Sequence, residues 1–492
     1  MKSCCLLLSA TLVVGGCATT STIETAKRRS GISLLTGLSE SLYPSLKAQI
    51  DATLSDTLFP PANVGIKIVS LATGESLYEL NPDMLFMPAS NEKLFTSAAA
   101  LVELGKDFDF KTSVSVDWDS SRVFIKGSGD PLLSTSDLDS LARVLKNNLS
   151  ADSAWTLVGD VSYFDDIYWG EGWMWDDEGE NYNAPISPLT VNSNTITVQV
   201  RPGKLEDAPV QIGTVPATSY VSIENTATTP VDTPIVPLKV SRNWRERSNA
   251  ITVTGQMLHR DTLSEHHPSI WQPERYFLTL LAERLESCGV KVKGIAIDTL
   301  SASCINLTEY SHGLDSVVAF LNKTSDNLSA ENLLKTLSAE RNGKPGTAQS
   351  GVSLVKRFLS TIGADTTRQI MVDGSGLSRY NLTSPDIITR LLADMYDRPD
   401  VFDVFYNSLP VAGVDGTLSG RMKGTSAEGN LRGKTGTLSG VSSLSGYVKT
   451  TNGEMVAFSI LVNNFASSPR MYRLVQDRIG VIMSELSRIT PP

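Results

Sequence analysis

PASNEKLFTSAAALVELG, residues 88–105, is the stretch from which the fold is read. From Glu92 to Leu104 it is apolar on most sides, and a helix apolar all round is a buried one. Gly105 stands where a helix C-cap belongs. At the head of this helix Ser90 and Lys93 are three residues apart. That spacing puts both on one helical face, so the lysine amine can reach the serine oxygen.

Working outward, Val64, Ile66 and Ile68 alternate as in a strand, Thr73-Gly74 turns the chain, and Ser76 to Leu80 returns to complete a hairpin. Before it, Leu38, Leu42, Leu46, Ile50 and Leu54 predict a helix over 37–54. From about 106 to 310 short alternating segments punctuated by Pro, Gly and Thr/Ser runs predict mostly β structure. One helix is expected there, Pro273 to Glu286, on the stripe Phe277, Leu280, Leu281, Leu285. The chain then reads as helical to roughly 400, most clearly at Ser325 to Leu337. Two strands follow, Ser439 to Thr450 and Met455 to Asn463, and a helix from Pro469 to Leu486. This order implies one α/β (α+β) domain with helices around a sheet, split by a large, mostly-β insertion. A chain of 492 residues has room for two or three domains.

The net charge of −10 argues against a nucleic-acid surface, which needs a basic footprint. An apolar run from Leu6 to Val14, too short to span a bilayer, ends at Gly15-Gly16-Cys17. It reads as a secretory signal, and it resembles the lipoprotein signal in which the Cys becomes the lipid-bearing first residue. Residues 18–35 read as a tether. In an exported chain Cys288 and Cys304 either form a disulfide or remain two thiols. His259, His266, His267 and His312 have no metal-ligand spacing, and Gly127-Ser128-Gly129-Asp130 lacks the rest of a nucleotide-binding pattern, so no metal or cofactor is expected.

Three motifs occur in order: Ser90-x-x-Lys93, Ser325-x-Asn327 and Lys434-Thr435-Gly436. Each is weak alone, since Ser353-x-x-Lys356 and Ser241-x-Asn243 also match by chance. Together they make the trio of penicillin-binding proteins and serine β-lactamases. A neutral Lys93 can take the Ser90 proton, and the Lys434 charge is expected to lower its pKa toward that state. Ser325 can relay the proton to the leaving amine, and Asn327 can hold Lys93 and the substrate amide. Thr435, Gly436 and Thr437 are expected to let a strand approach the substrate, with Lys434 anchoring its carboxylate. The Ser90 and Thr437 N–H groups would form the oxyanion hole.

On these motifs the chain resembles the class C, low-molecular-mass penicillin-binding proteins, the D-Ala-D-Ala carboxypeptidase/endopeptidase family. The resemblance runs from about 60 to about 490 and includes GSGDPL (127–132), GWMWDD (172–177), DGSGLSR (373–379), LPVAGVDGT (409–417) and RGKTGT (432–437). It implies a transpeptidase/serine β-lactamase-like core over 36–105 and 311–492, an insertion domain over 106–134 and 221–310, and a second nested over 135–220. It implies an acyl-enzyme on Ser90, acting on peptidoglycan stem peptides and crosslinks, with β-lactams as acylating inhibitors. It further implies recognition of the diaminopimelate side chain, with Asp177 and Tyr182 for the ammonium end and stem and Arg379 for the carboxylate. The setting it implies is the periplasm or cell envelope, with a lipid on Cys17 as membrane anchor. Two rivals share the fold. A serine β-lactamase needs a group to activate the deacylating water, and neither a Glu-x-x-Leu-Asn nor a Tyr-x-Asn signature occurs; the nearest match begins at Glu331 and ends in Lys335. A non-enzymatic scaffold would have no need of Lys93 or Lys434.

Overall fold

The computed structural model describes residues 46–55, 61–232, 236–301 and 304–487. Cys17, the signal and the tether lie outside these residues, as does the first half of the helix expected over 37–54. The described part of that helix is Leu46–Leu54, which buries Leu46 and Ile50.

The core is a five-stranded antiparallel sheet in the order Arg432–Leu438, Val441–Lys449, Met455–Asn463, Asn63–Ser70, Ser76–Leu80. Its centre joins the two ends of the chain, Ile66 opposite Ile460 and Ile68 opposite Phe458. Successive side chains of a strand point to opposite faces, so a sheet covered on both faces needs apolar residues at every position. Met455–Asn463 meets that need except at Ser459, which is hydrogen-bonded to Ser445, and at the terminal Asn463, which accepts from Met87 N. Ala457 and Leu461 enter the apolar cluster around helices Glu92–Leu104, Leu314–Thr324, Asn327–Asn342 and Pro385–Tyr396. Val456, Phe458, Ile460 and Val462 pack with Tyr472, Ile479 and Met483 of helix Arg470–Ser484 on the other face.

The insertion is mostly β, as expected, with one α-helix more than the sequence reading gave it. Its principal sheet has five strands, ordered Lys291–Ile297, Ala154–Asp160, Arg122–Gly127, Asp109–Asp117, Ile305–Gly313. Ala154–Asp160 runs parallel to both neighbours. Parallel strands need long crossovers, and helices Thr135–Asn148 and Pro273–Ser287 lie on them. The first helix was absent from the sequence reading. Its signal is Leu138, Leu141, Ala142 and Leu145 on one face, behind a capping box in which Asp137 accepts from the Ser134 N–H at 2.8 Å.

That sheet also moves the nested boundary. Residues 135–160 belong with strands 109–127, so a nested unit cannot begin at 135. The two three-stranded sheets lie later, between Thr197 and His266. One apolar cluster runs through both parts, from Val114 and Leu157 to Val198, Ile251 and Phe277. Cys288 and Cys304 are two free thiols. They precede the strands at opposite edges of the five-stranded sheet. Four interstrand spacings of about 4.8 Å far exceed the ~7 Å Cα separation a disulfide tolerates.

Candidate active site

Ser90 sits in the tight turn Ala89–Asn91 that starts helix Glu92–Leu104. Ala89 has φ 48°, a left-handed conformation that costs a non-glycine residue free energy and persists only where its surroundings fix it. Three bonds fix the turn. Asn91 Nδ2 donates to Lys434 O at 2.9 Å, Ser443 Oγ to Pro88 O at 2.7 Å, and Met87 N to Asn463 Oδ1 at 2.8 Å. All three cross to the sheet, so the nucleophile is set by strands hundreds of residues away in sequence.

Lys93 is fully buried. Its Nζ lies 2.6 Å from Asn327 Oδ1, 2.7 Å from Ser375 O and 3.2 Å from Ser90 Oγ. Burial lowers its pKa to about 8, against the opposing charges of Asp373, Asp326, Glu331 and Glu92. Lys434 is buried too, and Nζ donates to Ser325 Oγ at 2.8 Å and Thr435 O at 2.9 Å. Burial first, and then the Lys93 charge, hold Lys434 well below an ordinary lysine. Desolvation is thus the first cause for both amines, and the repulsion between the two cations is mutual, so each disfavours the charged form of the other. The Lys434 amine is buried, with two of its N–H bonds on Ser325 and Thr435, so it acts on the pocket from beneath those two residues.

Ser325 terminates helix Leu314–Thr324 in a left-handed conformation, φ 63°, and Asp326 caps the next helix by accepting from Ser329 N at 2.6 Å. The kink aims Ser325 at Lys434 while Asn327, on the new helix, faces Lys93. The Lys434-Thr435-Gly436 triplet lies inside the edge strand Arg432–Leu438, a strand of its own ahead of the one expected from Ser439. That strand faces the pocket and so lacks the apolar alternation of its neighbours. Gly436 answers to the chain before any substrate: a Cβ there would lie 2.1 Å from Ser443 Oγ and 2.8 Å from Pro88 O.

Ser90, Ser325, Thr435, Gly436 and Thr437 line one pocket of about 400 Å³, together with Thr417, Arg421 and Arg473. Thr435 donates to Thr417 Oγ1 at 2.7 Å. The two arginines escaped the sequence reading, since neither belongs to a motif and only the fold brings helix Arg470–Ser484 to the site.

Under the pocket three carboxyl groups are buried around Lys93. Glu331 Oε1 accepts from Gly374 N at 2.9 Å and Ser375 N at 2.8 Å, and burial pushes its pKa up to about 8. Burial holds the Glu92 carboxyl well above the usual range. Asp373 accepts from Gly376 N and Ser378 N, both at 2.8 Å, Asn381 Nδ2 at 2.6 Å and Trp173 Nε1 at 2.9 Å. Glu331 thus faces the backbone of the 373–379 loop and is no activator of water in the pocket.

The insertion reaches the site at Tyr182, whose carbonyl accepts from Asn327 Nδ2 at 2.7 Å. Its hydroxyl donates to Asp177 Oδ1 at 2.9 Å. Arg379 donates to Ser439 O at 3.1 Å, and among the described residues nothing joins it to Asp177 or Tyr182.

This geometry agrees with kinship. Residues 46–486 match the D-Ala-D-Ala carboxypeptidase 3 (S13) family. The chain belongs to that family. The sequence is 36% identical to the D-alanyl-D-alanine carboxypeptidase of Actinomadura sp. (strain R39) over 471 residues, covering 89% of this chain and 84% of that protein. Among solved structures, penicillin binding protein 4 (dacB) from Haemophilus influenzae superposes with a TM-score of 0.76 at 24% identity, over 89% of this chain and 99% of that one. The same Haemophilus protein complexed with a β-lactam gives 0.70 at 22%, over 88% and 98%. Like its family, the chain is a serine-type D-Ala-D-Ala carboxypeptidase, a hydrolase.

Proposed function

We propose that Ser90 forms the acyl-enzyme and that Lys93, as a neutral amine, is its base. The acceptors around the Lys93 nitrogen carry this reading. Asn327 Oδ1 and Ser375 O can only accept, so they take the two N–H bonds of a neutral amine, and the lone pair is left facing Ser90 Oγ. A pKa near 8 makes that form accessible around neutral pH.

In the reaction Ser90 Oγ bonds to the carbonyl carbon of the penultimate D-Ala while its proton passes to Lys93. The Ser90 and Thr437 N–H groups hold the oxyanion. Ser325, bonded to Lys434, hands a proton to the leaving nitrogen, the C–N bond breaks and terminal D-Ala departs. Water then hydrolyses the ester and restores Ser90. Thr435 and Gly436 form the wall along which the peptide lies. A β-lactam acylates Ser90 by the same first steps. A crosslink is cleaved when the leaving nitrogen belongs to a neighbouring stem peptide.

Asp177 and Tyr182 suit the ammonium and stem of diaminopimelate, as an acid hydrogen-bonded to an aromatic beside Asn327. Arg379 is proposed for the neighbouring carboxylate. The core segments carry the chemistry and the insertion carries substrate choice. The substrate places the protein in the bacterial cell envelope, and Cys17 supplies its lipid anchor. Fatty-acid label taken up equally by Cys17→Ser would remove the anchor from this account.

Ser90→Ala decides the central reading. It should abolish both covalent penicillin labelling and D-Ala release with the unfolding temperature unchanged. Label retained at another serine, such as Ser353, would overturn it.

A further inference from the structure

Two guanidinium groups line the pocket, and they differ in what they already hold. Arg421 is committed: Nε donates to Asp477 Oδ1 at 2.8 Å, and Nη2 to Gln476 Oε1 and Arg473 O, both at 3.2 Å. Arg473, in the first turn of helix Arg470–Ser484, donates from Nη2 to Thr437 Oγ1 at 3.1 Å. Among the described residues no carboxylate lies within ion-pair distance of it. It is exposed, and the opposite charge acting on it is that of Asp477 one turn on, a carboxylate already bonded to Arg421. Lys434, the other cation of this wall, is sealed beneath the surface with its amine on Ser325 and Thr435.

The substrate brings one charge that this wall must meet. The carbon attached to the leaving nitrogen of terminal D-Ala carries a free carboxylate. The D-centre of diaminopimelate in a crosslink carries one in the same place, and so does the carbon next to the lactam nitrogen of a penicillin. Thr435, Thr437 and Arg473 line the same pocket as Ser90 and Ser325, so a carboxylate next to the leaving nitrogen has their donors around it. A guanidinium with one N–H on Thr437 keeps others in the plane that matches a carboxylate.

We propose that Arg473 is a specificity-determining residue, which together with Thr437 takes the carboxylate next to the scissile nitrogen. The proposal rests on the Ser90 reading and adds the group that selects for a free chain end or a D-centre.

The test compares the parent, Arg473→Gln and Arg473→Lys on one peptide ending in D-Ala-D-Ala and on its C-terminal amide. The ratio of kcat/KM, acid over amide, should fall about 10- to 100-fold in Arg473→Gln, the range for losing a hydrogen bond to a charged group. Arg473→Lys should recover part of the ratio, since it keeps the charge but loses the fork. Equal losses on acid and amide would mean that Arg473 only props Thr437, and no loss on the acid would mean that the carboxylate lies elsewhere; either overturns the proposal. Failure of the Ser90 reading looks different, as a parent enzyme that forms no acyl-enzyme at Ser90.

Discussion

Lys93 draws its base character from what surrounds it rather than from its type. Desolvation lowers its pKa to about 8, while Asp373, Asp326, Glu331 and Glu92 pull upward. Acylation needs the neutral amine, so its rate should rise with pH and level off above about 8. Lys434 is the remaining charged group facing this cluster, and it is itself held low by burial. Because the groups are close, the step belongs to the cluster as a whole. Glu331→Gln removes one upward pull, so the rising limb should move to lower pH in penicillin-acylation rates; a limb that stays put would refute the coupling. The same variant tests stability. Glu331 has its folded pKa raised from 4.5 to about 8, so its contribution is fully present below the unfolded value and is lost as pH rises through about 8. Glu331→Gln should therefore flatten the fall in unfolding temperature between about pH 4.5 and 8. The sequence displays Ser90, Lys93 and Lys434 plainly. It gives no hint of the Glu331 bonds to the 374–375 backbone, because Glu331 reads as one polar residue in a helix and its burial depends on a distant loop.

At the scale of elements, the site depends on loops and strands that touch without room to spare. Gly376 has φ 80°, a conformation open to glycine, and a Cβ there would lie 1.9 Å from Ala89 O. The preceding residue, Ser375, offers its carbonyl to Lys93. Gly376→Ala should push the 373–379 loop off the nucleophile turn. We expect a loss of about 1–3 kcal/mol in stability, from strain and overpacking together, and slower acylation as Ser375 O moves away from Lys93. Unfolding by denaturant and stopped-flow acylation measure the two effects, and an unchanged acylation rate would detach the loop from the base. The elements themselves were legible to uneven degrees. Glu92–Leu104 was predicted to the residue because its apolar surface and Gly105 punctuate it. Thr135–Asn148 went unread although Ser134 and Asp137 announce it, since short polar segments on both sides give the region a β texture. Arg432–Leu438 went unread as a strand because its pocket face is polar.

For the whole molecule, the insertion is bound to the core at the catalytic level. Tyr182 O meets Asn327, Trp173 meets Asp373, and buried Lys335 donates to Asp165 Oδ1 at 2.5 Å and Ile167 O at 2.6 Å. An insertion fastened this way can present side chains to a substrate at a fixed distance from Ser90. On the diaminopimelate reading, Asp177→Ala should narrow the preference for a free over an acetylated side-chain amine by about 1–3 kcal/mol of transition-state binding. Penicillin acylation should hardly change, because the drug lacks that side chain. Paired kcat/KM values on the two peptides give the answer, and an equal loss on both would make Asp177 a structural partner of Tyr182.

The sequence by itself determined the nucleophile helix, the order of the three motifs and the core divided by a long insertion. These follow from local spacing: Ser90 and Lys93 share a helical face whatever lies around them, and apolar periodicity marks the buried elements. Only the tertiary structure decided how the motifs work together. It buried Lys434 beneath Ser325 and Thr435, placed acceptors on two sides of the Lys93 nitrogen, drew residues 135–160 into the first sheet of the insertion and brought Arg473 to the pocket. The physical reason is that desolvation, close approach and charge pairing depend on distances between segments far apart in the chain. No local pattern encodes those distances.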